Sequence, residues 1–254
     1  MQSFKKEHIL FLILGCFFIA NALVAEFIGV KIFSVEESLG FDKFDINLFG
    51  IENLSFNMSA GVLMWPVVFI MTDIINEYFG KKGVKLLSYI ATVLILYAFL
   101  MVFWGINLVP SDFWIVKPLS SGEINMDLAF NNIFGQGLWI IAGSIVAFLF
   151  GQLIDVYVFQ KIKQKTGEKS LWLRATGSTV VSQFIDSFVV ILIAFYIGAD
   201  WSLELVLAIG FVNYFYKFII AILLTPILYV VHYLIDKFLG PELSQELRSQ
   251  ALIK

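Results

Sequence analysis

Charge is what this chain has least of. Of its 254 residues only 15% are Asp, Glu, Lys or Arg, where soluble domains carry about 25%. Cysteine is nearly absent: the single Cys16 excludes an intrachain disulfide and a cysteine-built metal site, and we expect it to be a small buried packing residue. The two histidines, His8 and His232, are too far apart for a conventional zinc site, and both are expected near membrane boundaries. No G-x-x-x-x-G-K-[ST], H-E-x-x-H or G-x-S-x-G occurs, which removes ATP hydrolysis through a phosphate loop and the common hydrolase motifs. A net charge of -3 without a basic stripe offers nucleic acid nothing to bind. Neither a metal nor a cofactor is expected.

Apolar length is abundant. The chain is 59% hydrophobic, and a bilayer core needs about 20 apolar residues per helix. Six stretches qualify, at 8–28, 58–79, 84–109, 138–159, 178–197 and 205–233. The expected fold is a single all-α transmembrane domain over 1–254, with structured outer loops at 31–57 and 110–137. Residues 43–56 alternate apolar and polar around Gly50, a hairpin pattern. Lys and Arg set the orientation: thirteen of the seventeen, among them Lys81, Lys161, Lys163, Lys169, Arg174, Arg248 and Lys254, fall on one side and three on the other. By the positive-inside rule both termini are cytoplasmic, as in a multi-pass protein of the bacterial inner membrane. Lys5 and Lys6 before an apolar run, followed by Ala20-Asn21-Ala22, also fit a signal peptide, but its removal would spoil that alternation.

Polar groups inside the spans are the functional candidates, because each costs several kcal/mol unless it is paired or hydrated. "FGQLIDVYVF" places Gln152 and Asp155 three apart, and "VSQFIDSFVV" repeats the pair as Gln183 and Asp186. The two spans run in opposite directions, a weak hint of an inverted repeat. Asp186 lies about 18 Å from the inner charges, and Gln152 and Asp73 lie about 12–14 Å from them. Asn213 and Lys217 share a face of the last span, and Lys217 is expected to pair with Asp186. Asp73, Asn76 and Glu77 share another face, with Glu77 solvated or paired to Lys81. Asn21 is expected to face the bundle, whereas Glu26 is expected to snorkel at the outer interface.

Three blocks of sequence go further. They are "WPVVFIMTDIINEYFG" (65–80), "GSIVAFLFGQLIDVYVFQKIKQKTGEKSLWLRATGSTVVSQFIDSFVVILIAF" (143–195), and the stretch from Lys217 to Thr225-Pro226. Through them the chain resembles the bacterial queuosine precursor transporters, also called the vitamin uptake transporter family, departing from the pattern in having Trp65 before Pro66. The resemblance implies a six-helix carrier importing 7-cyano- or 7-aminomethyl-7-deazaguanine for tRNA queuosine modification. It also implies a fold similar to the membrane substrate-binding subunits of vitamin importers. On that basis Asp73, Asn76, Gln152, Gln183, Asp186, Asn213 and Lys217 are expected at the substrate. Glu77, Asp155, Arg174 and Asn21 are expected in gating or coupling, with Asp155 at the inner gate or paired to Arg174. The alternatives are a binding subunit docked on an ATPase module and, third, an intramembrane enzyme. A homo-oligomer is left open.

Overall fold

A backbone surrounded by lipid must satisfy its own hydrogen bonds, and a chain of long apolar runs does so as helices. The computed structural model describes residues 5–120, 122–167 and 170–253; Lys169 and Lys254, counted among the inner-side charges, lie outside them. Its elements run α1 (Lys6–Ile28), β1 (Ile32–Ser34), α2 (Val35–Ser38), β2 (Ile46–Leu48), β3 (Ile51–Leu54), β4 (Asn57–Ser59), α3 (Trp65–Ile106), α4 (Asp112–Ile115), β5 (Val116–Leu119), β6 (Gly122–Asn125), α5 (Met126–Phe134), α6 (Leu138–Thr166), α7 (Leu171–Ile191), α8 (Leu203–Leu239) and α9 (Pro241–Ile253). A 3-10 turn, Ala60–Leu63, precedes α3, and a π-helical segment, Leu192–Ile197, extends α7. Five helical stretches among the described residues are long and apolar enough to cross a membrane.

The longest helix is not straight. Its 42 residues would span about 63 Å as one rod, twice a bilayer core of about 30 Å. At Gly80 the backbone leaves helical geometry, with φ 68° and ψ -173°, a combination open essentially only to glycine. The contacts show the chain turning back there. Phe11 of α1 lies edge-on to Phe79, with ring centroids 4.9 Å apart, and it also borders Gly83. At the other end of α1, Ala25 borders Gly61, while Phe27 packs on Phe99 at 5.9 Å. Residues 61 and 99 therefore share one end of α1, and residues 79–83 share the other.

Phe18 and Ala22 of α1, Val68, Ile74, Ile75 and Ile95 of α3, and Phe148 and Phe159 of α6 form the buried centre. The large apolar side chains left exposed, such as Leu12, Phe17, Val93, Tyr97, Phe215 and Leu223, are those a bilayer would solvate. Pro226 interrupts α8 by removing one helical N–H.

The loops carry small antiparallel ribbons. Ile46 pairs with Leu54 and Leu48 with Ile51 across Phe49 and Gly50, both at positive φ, so residues 43–56 do contain a hairpin. The second ribbon joins β1 to β4 and the third joins β5 to β6. Glu36 anchors the first loop: Oε1 accepts the Phe56 N–H at 2.7 Å and Oε2 accepts the Ser34 hydroxyl at 3.2 Å. Burial pushes that carboxyl up, but these bonds to its charged form outweigh burial and hold it below the ordinary carboxylate range.

Several expectations need correction. Helix α3 begins at Trp65, because residues 58–64 are taken by strand and 3-10 turn. Cys16 is exposed: its neighbours Leu14, Gly15 and Phe18 carry the packed face of α1, and it points away from them. Glu26 is 6% exposed and does not snorkel, since the Ser144 hydroxyl donates to its Oε1. His232 is buried and stacks on Tyr78, with ring centroids 5.4 Å apart. Helix α8 continues to Leu239, and Gly240, at φ 89°, turns the chain into α9, a helix the apolar pattern did not foretell.

Candidate functional site

Helices α3, α7 and α8 enclose a cleft of about 540 Å³. It runs along α8 from Tyr216 to Leu228 and along α7 from Ala175 to Gln183, and Trp65, Pro66, Phe69, Ile70 and Asp73 of α3 close its third side. The lining is largely apolar and aromatic, interrupted by Asp73, Gln183, Lys217, Thr176, Thr179 and Thr225. This is the usual composition of a small-molecule site, a greasy wall with a few placed polar groups. Two of those groups have hydrogen-bonding capacity left unused. Asp73 Oδ1 and Gln183 Nε2 are buried without a hydrogen-bond partner, although their residues are only 4% and 3% exposed. At one end the first loop covers the cleft, where Met58, Val62 and Val212 pack with Phe56 and Tyr216.

The other expected residues are placed as follows. Lys217 Nζ donates to Asp186 Oδ2, so that pair forms across α7 and α8. Asp186 itself lies against Gly151 of α6 rather than in the cleft wall. The two Gln-x-x-Asp copies meet antiparallel, residue 186 beside residue 151, while the Ser182 hydroxyl donates to Asp155 Oδ1 at 3.0 Å. Gln152 reaches α3, where its Oε1 accepts from Thr72 at 2.8 Å. Asn76 Oδ1 accepts from Gln160 Nε2 at 2.6 Å. Of the four residues in the two motifs, only Gln183 lines the cleft. Asn213 borders a second cavity of about 400 Å³ with Asn53, Ser55 and Asn57 beneath the first loop, one turn of α8 away from Lys217. Asn21 lines neither cavity, and its amide donates to the Phe17 carbonyl at 2.8 Å.

Beyond Asp73 the cleft meets an ionic plug. Glu77 neither reaches solvent nor pairs with Lys81. It is 1% exposed, and its carboxylate accepts from Arg174 at 2.9 and 3.1 Å and lies 3.1 Å from Lys163 Nζ. Lys163 also donates to the Glu77 carbonyl at 3.0 Å. Arg174 pairs with Glu77 and not with Asp155, because Arg174 sits two turns along α7 from Ser182, the residue that meets Asp155. Lys163 is 0% exposed and had been read only as an inner-side charge. Its position i+8 from Asp155, on one helical face, was the available signal.

A second group, also missed, seals that end. Tyr78 donates to Asp236 Oδ1 at 2.7 Å, Ser244 donates to the same carboxylate, and Arg248 Nη2 from α9 reaches both Asp236 oxygens at 2.8 and 2.6 Å. Arg248 also extends to 3.9 Å from Glu77, linking the two groups. Nothing in hydropathy marks α9 as a lid on this end, since it lies outside the spans.

The family model described as "Putative vitamin uptake transporter" matches residues 59–231, more than half of the chain and all three walls of the cleft. The chain belongs to the vitamin uptake transporter family. It is 29% identical over 185 residues to a probable queuosine precursor transporter of Bacillus subtilis, covering 72% of this chain and 73% of that one. It is 29% identical over 173 residues to a probable queuosine precursor transporter of Haemophilus influenzae, covering 68% and 67%. It is 27% identical over 173 residues to the queuosine precursor transporter of Escherichia coli, covering 66% and 70%. No solved structure matches the chain. These likenesses and the five apolar helical stretches make this family member a multi-pass membrane transport protein of the kind found in the bacterial inner membrane, and not an enzyme.

Proposed function

We propose that this transporter imports 7-deazaguanine bases, the 7-cyano and 7-aminomethyl precursors of queuosine, through the cleft between α3, α7 and α8. The observation that carries the proposal is the pairing of unpartnered Asp73 Oδ1 and Gln183 Nε2 within a wall of Trp65, Phe69 and Tyr216. A deazaguanine presents two adjacent N–H donors beside a carbonyl acceptor. One carboxylate accepts both donors in fork fashion, and an amide N–H serves the carbonyl. The aromatic wall suits the flat ring. Among the described residues Asp73 is the one carboxylate lining the cleft, and it would favour the cationic aminomethyl base. Lys217 ties Asp186 across α7 and α8, and Gln152 binds Thr72, the chain neighbour of Asp73. The names of the three relatives support this substrate class.

In this reading α3 crosses the bilayer twice, reversing at Gly80, so the chain makes six crossings with both termini cytoplasmic. The Glu77–Lys163–Arg174 plug then closes the cytoplasmic side, and the first loop closes the other. The test is uptake of 7-cyano-7-deazaguanine by cells unable to synthesise it, read as queuosine in their tRNA. Restoration by the wild type and not by Asp73→Asn is expected. No restoration by wild-type protein shown to be in the membrane would overturn the assignment.

A further inference from the structure

Behind the cleft wall lies a second arrangement that base binding leaves unexplained. Asp73 and Asp155 are 4% and 0% exposed, and each has one oxygen, Oδ1 and Oδ2 respectively, with no partner. Thr72 bonds Gln152 and Asn76 bonds Gln160, so α3 and α6 run side by side here and bring Asp73 near Asp155, with Ser178 of α7 close enough to act on both. A serine has a single proton to donate, and Ser178 is itself within 3.1 Å of the Ala175 carbonyl. It can satisfy at most one of the two. The Ser182 hydroxyl serves the other oxygen of Asp155.

The charged groups around them are accounted for elsewhere. Lys163 and Arg174 meet Glu77, and Lys217 meets Asp186. Among the described residues no basic nitrogen lies within 4.0 Å of Asp73 or Asp155. The groups acting on Asp73 are Asp155 from α6, Glu77 from its own helix and Arg174 from α7. Asp186 stands a turn beyond Ser182, Glu26 acts on Asp186 from α1, and Arg248 of α9 reaches only the Glu77 end. Among the described residues Asp73 and Asp155 are thus buried carboxylates with no basic partner of their own, whereas Glu77 and Asp186 have theirs. One monovalent cation would offset the charge that these two carboxylates share, and the unpartnered oxygens mark where it goes.

We propose that Asp73 and Asp155, with Ser178 between them, bind one monovalent cation, a proton or a sodium ion, whose inward gradient drives uptake. The inference rests on the transport reading above. Asp73 belongs to both sites, and that sharing supplies the coupling. With a cation between the carboxylates their mutual repulsion is relieved, and one negative charge remains to accept the substrate's N–H donors. Cation and substrate then strengthen each other's binding by the same factor.

Two measurements on the full-length protein test this. In proteoliposomes with the membrane potential clamped at zero, 7-aminomethyl-7-deazaguanine is offered under an inward gradient of one pH unit, under a tenfold inward sodium gradient, and under neither. One of the two gradients should drive accumulation of up to about tenfold, identifying the cation, and Asp155→Asn should abolish that accumulation. Equal levels under all three conditions, or wild-type accumulation by Asp155→Asn, overturn the proposal. The second measurement needs no substrate. A cation bound only by the folded protein raises the thermal unfolding midpoint as sodium increases, or as pH falls. The wild type should show one of these shifts and Asp155→Asn neither; identical dependence in both proteins overturns the site. A midpoint shift without any base uptake would reject the substrate assignment while leaving the cation site standing.

Discussion

Replacing Glu77 with glutamine removes the one carboxylate that Lys163 and Arg174 share. Both cations are buried, at 0% and 2% exposure, and Glu77 meets them at 3.1 and 2.9 Å. Breaking a buried pair by deleting one partner costs about 3–5 kcal/mol, because the survivor stays desolvated and unneutralised. With Lys163 left uncompensated, Glu77→Gln should cost about 4 kcal/mol, a fall in Tm of roughly 8–16 °C for a chain of this size. The assay is thermal unfolding of the purified protein in detergent, with Glu77→Gln compared with the double variant Glu77→Gln/Lys163→Met. Removing one cation as well should recover more than half of the loss, since an apolar replacement of a buried pair is often neutral. A single variant within about 3 °C of wild type, or a double variant no better than the single, would refute the claim that the plug is an ionic cluster cut off from solvent.

Gly80→Ala should destabilise by about 1–3 kcal/mol from backbone strain alone. It should also loosen α9, because a Cβ there would meet the Ala251 carbonyl oxygen at 2.9 Å; faster protease cleavage within residues 241–253 would show this, and unchanged cleavage would count against the contact. Lys217→Met should leave the part-buried Asp186 without its cation and cost about 1–3 kcal/mol, whereas Lys217→Met/Asp186→Asn should regain much of it in the same unfolding assay. The Glu36 carboxyl is held low in the folded protein, so its contribution is present above the ordinary glutamate range and is lost as pH falls through the depressed folded value. Amide exchange in residues 46–59 should therefore accelerate, beyond the intrinsic rate change, as pH is lowered through that range, and Glu36→Gln should already show the faster exchange at neutral pH.

Depth along a helix is a one-dimensional quantity, fixed by residue number and a rise of about 1.5 Å, and so the sequence could reveal it. The apolar runs alone marked the membrane helices, and counting from the flanking charges matched Lys217 to Asp186 and put Asp73 at the depth of Gln152. The alternation about Gly50 likewise marked a hairpin, because strand period and turn chemistry are local. What hydropathy could not give is the rotation of each helix about its axis and the identity of its neighbours, which depend on packing against residues far away in the chain. That is why Asp155 meets Ser182 rather than Arg174, why Glu77 is buried among Lys163 and Arg174 rather than solvated, and why Cys16 faces outward. The polar helix α9 gave no sign that Arg248 would seal one end of the bundle, since only the reversal at Gly80 brings Tyr78, Asp236 and Arg248 together. Composition settled that the chain lives in a membrane; tertiary structure decided which of its buried charges are spent on one another and that Asp73 and Asp155 each keep an oxygen without a partner.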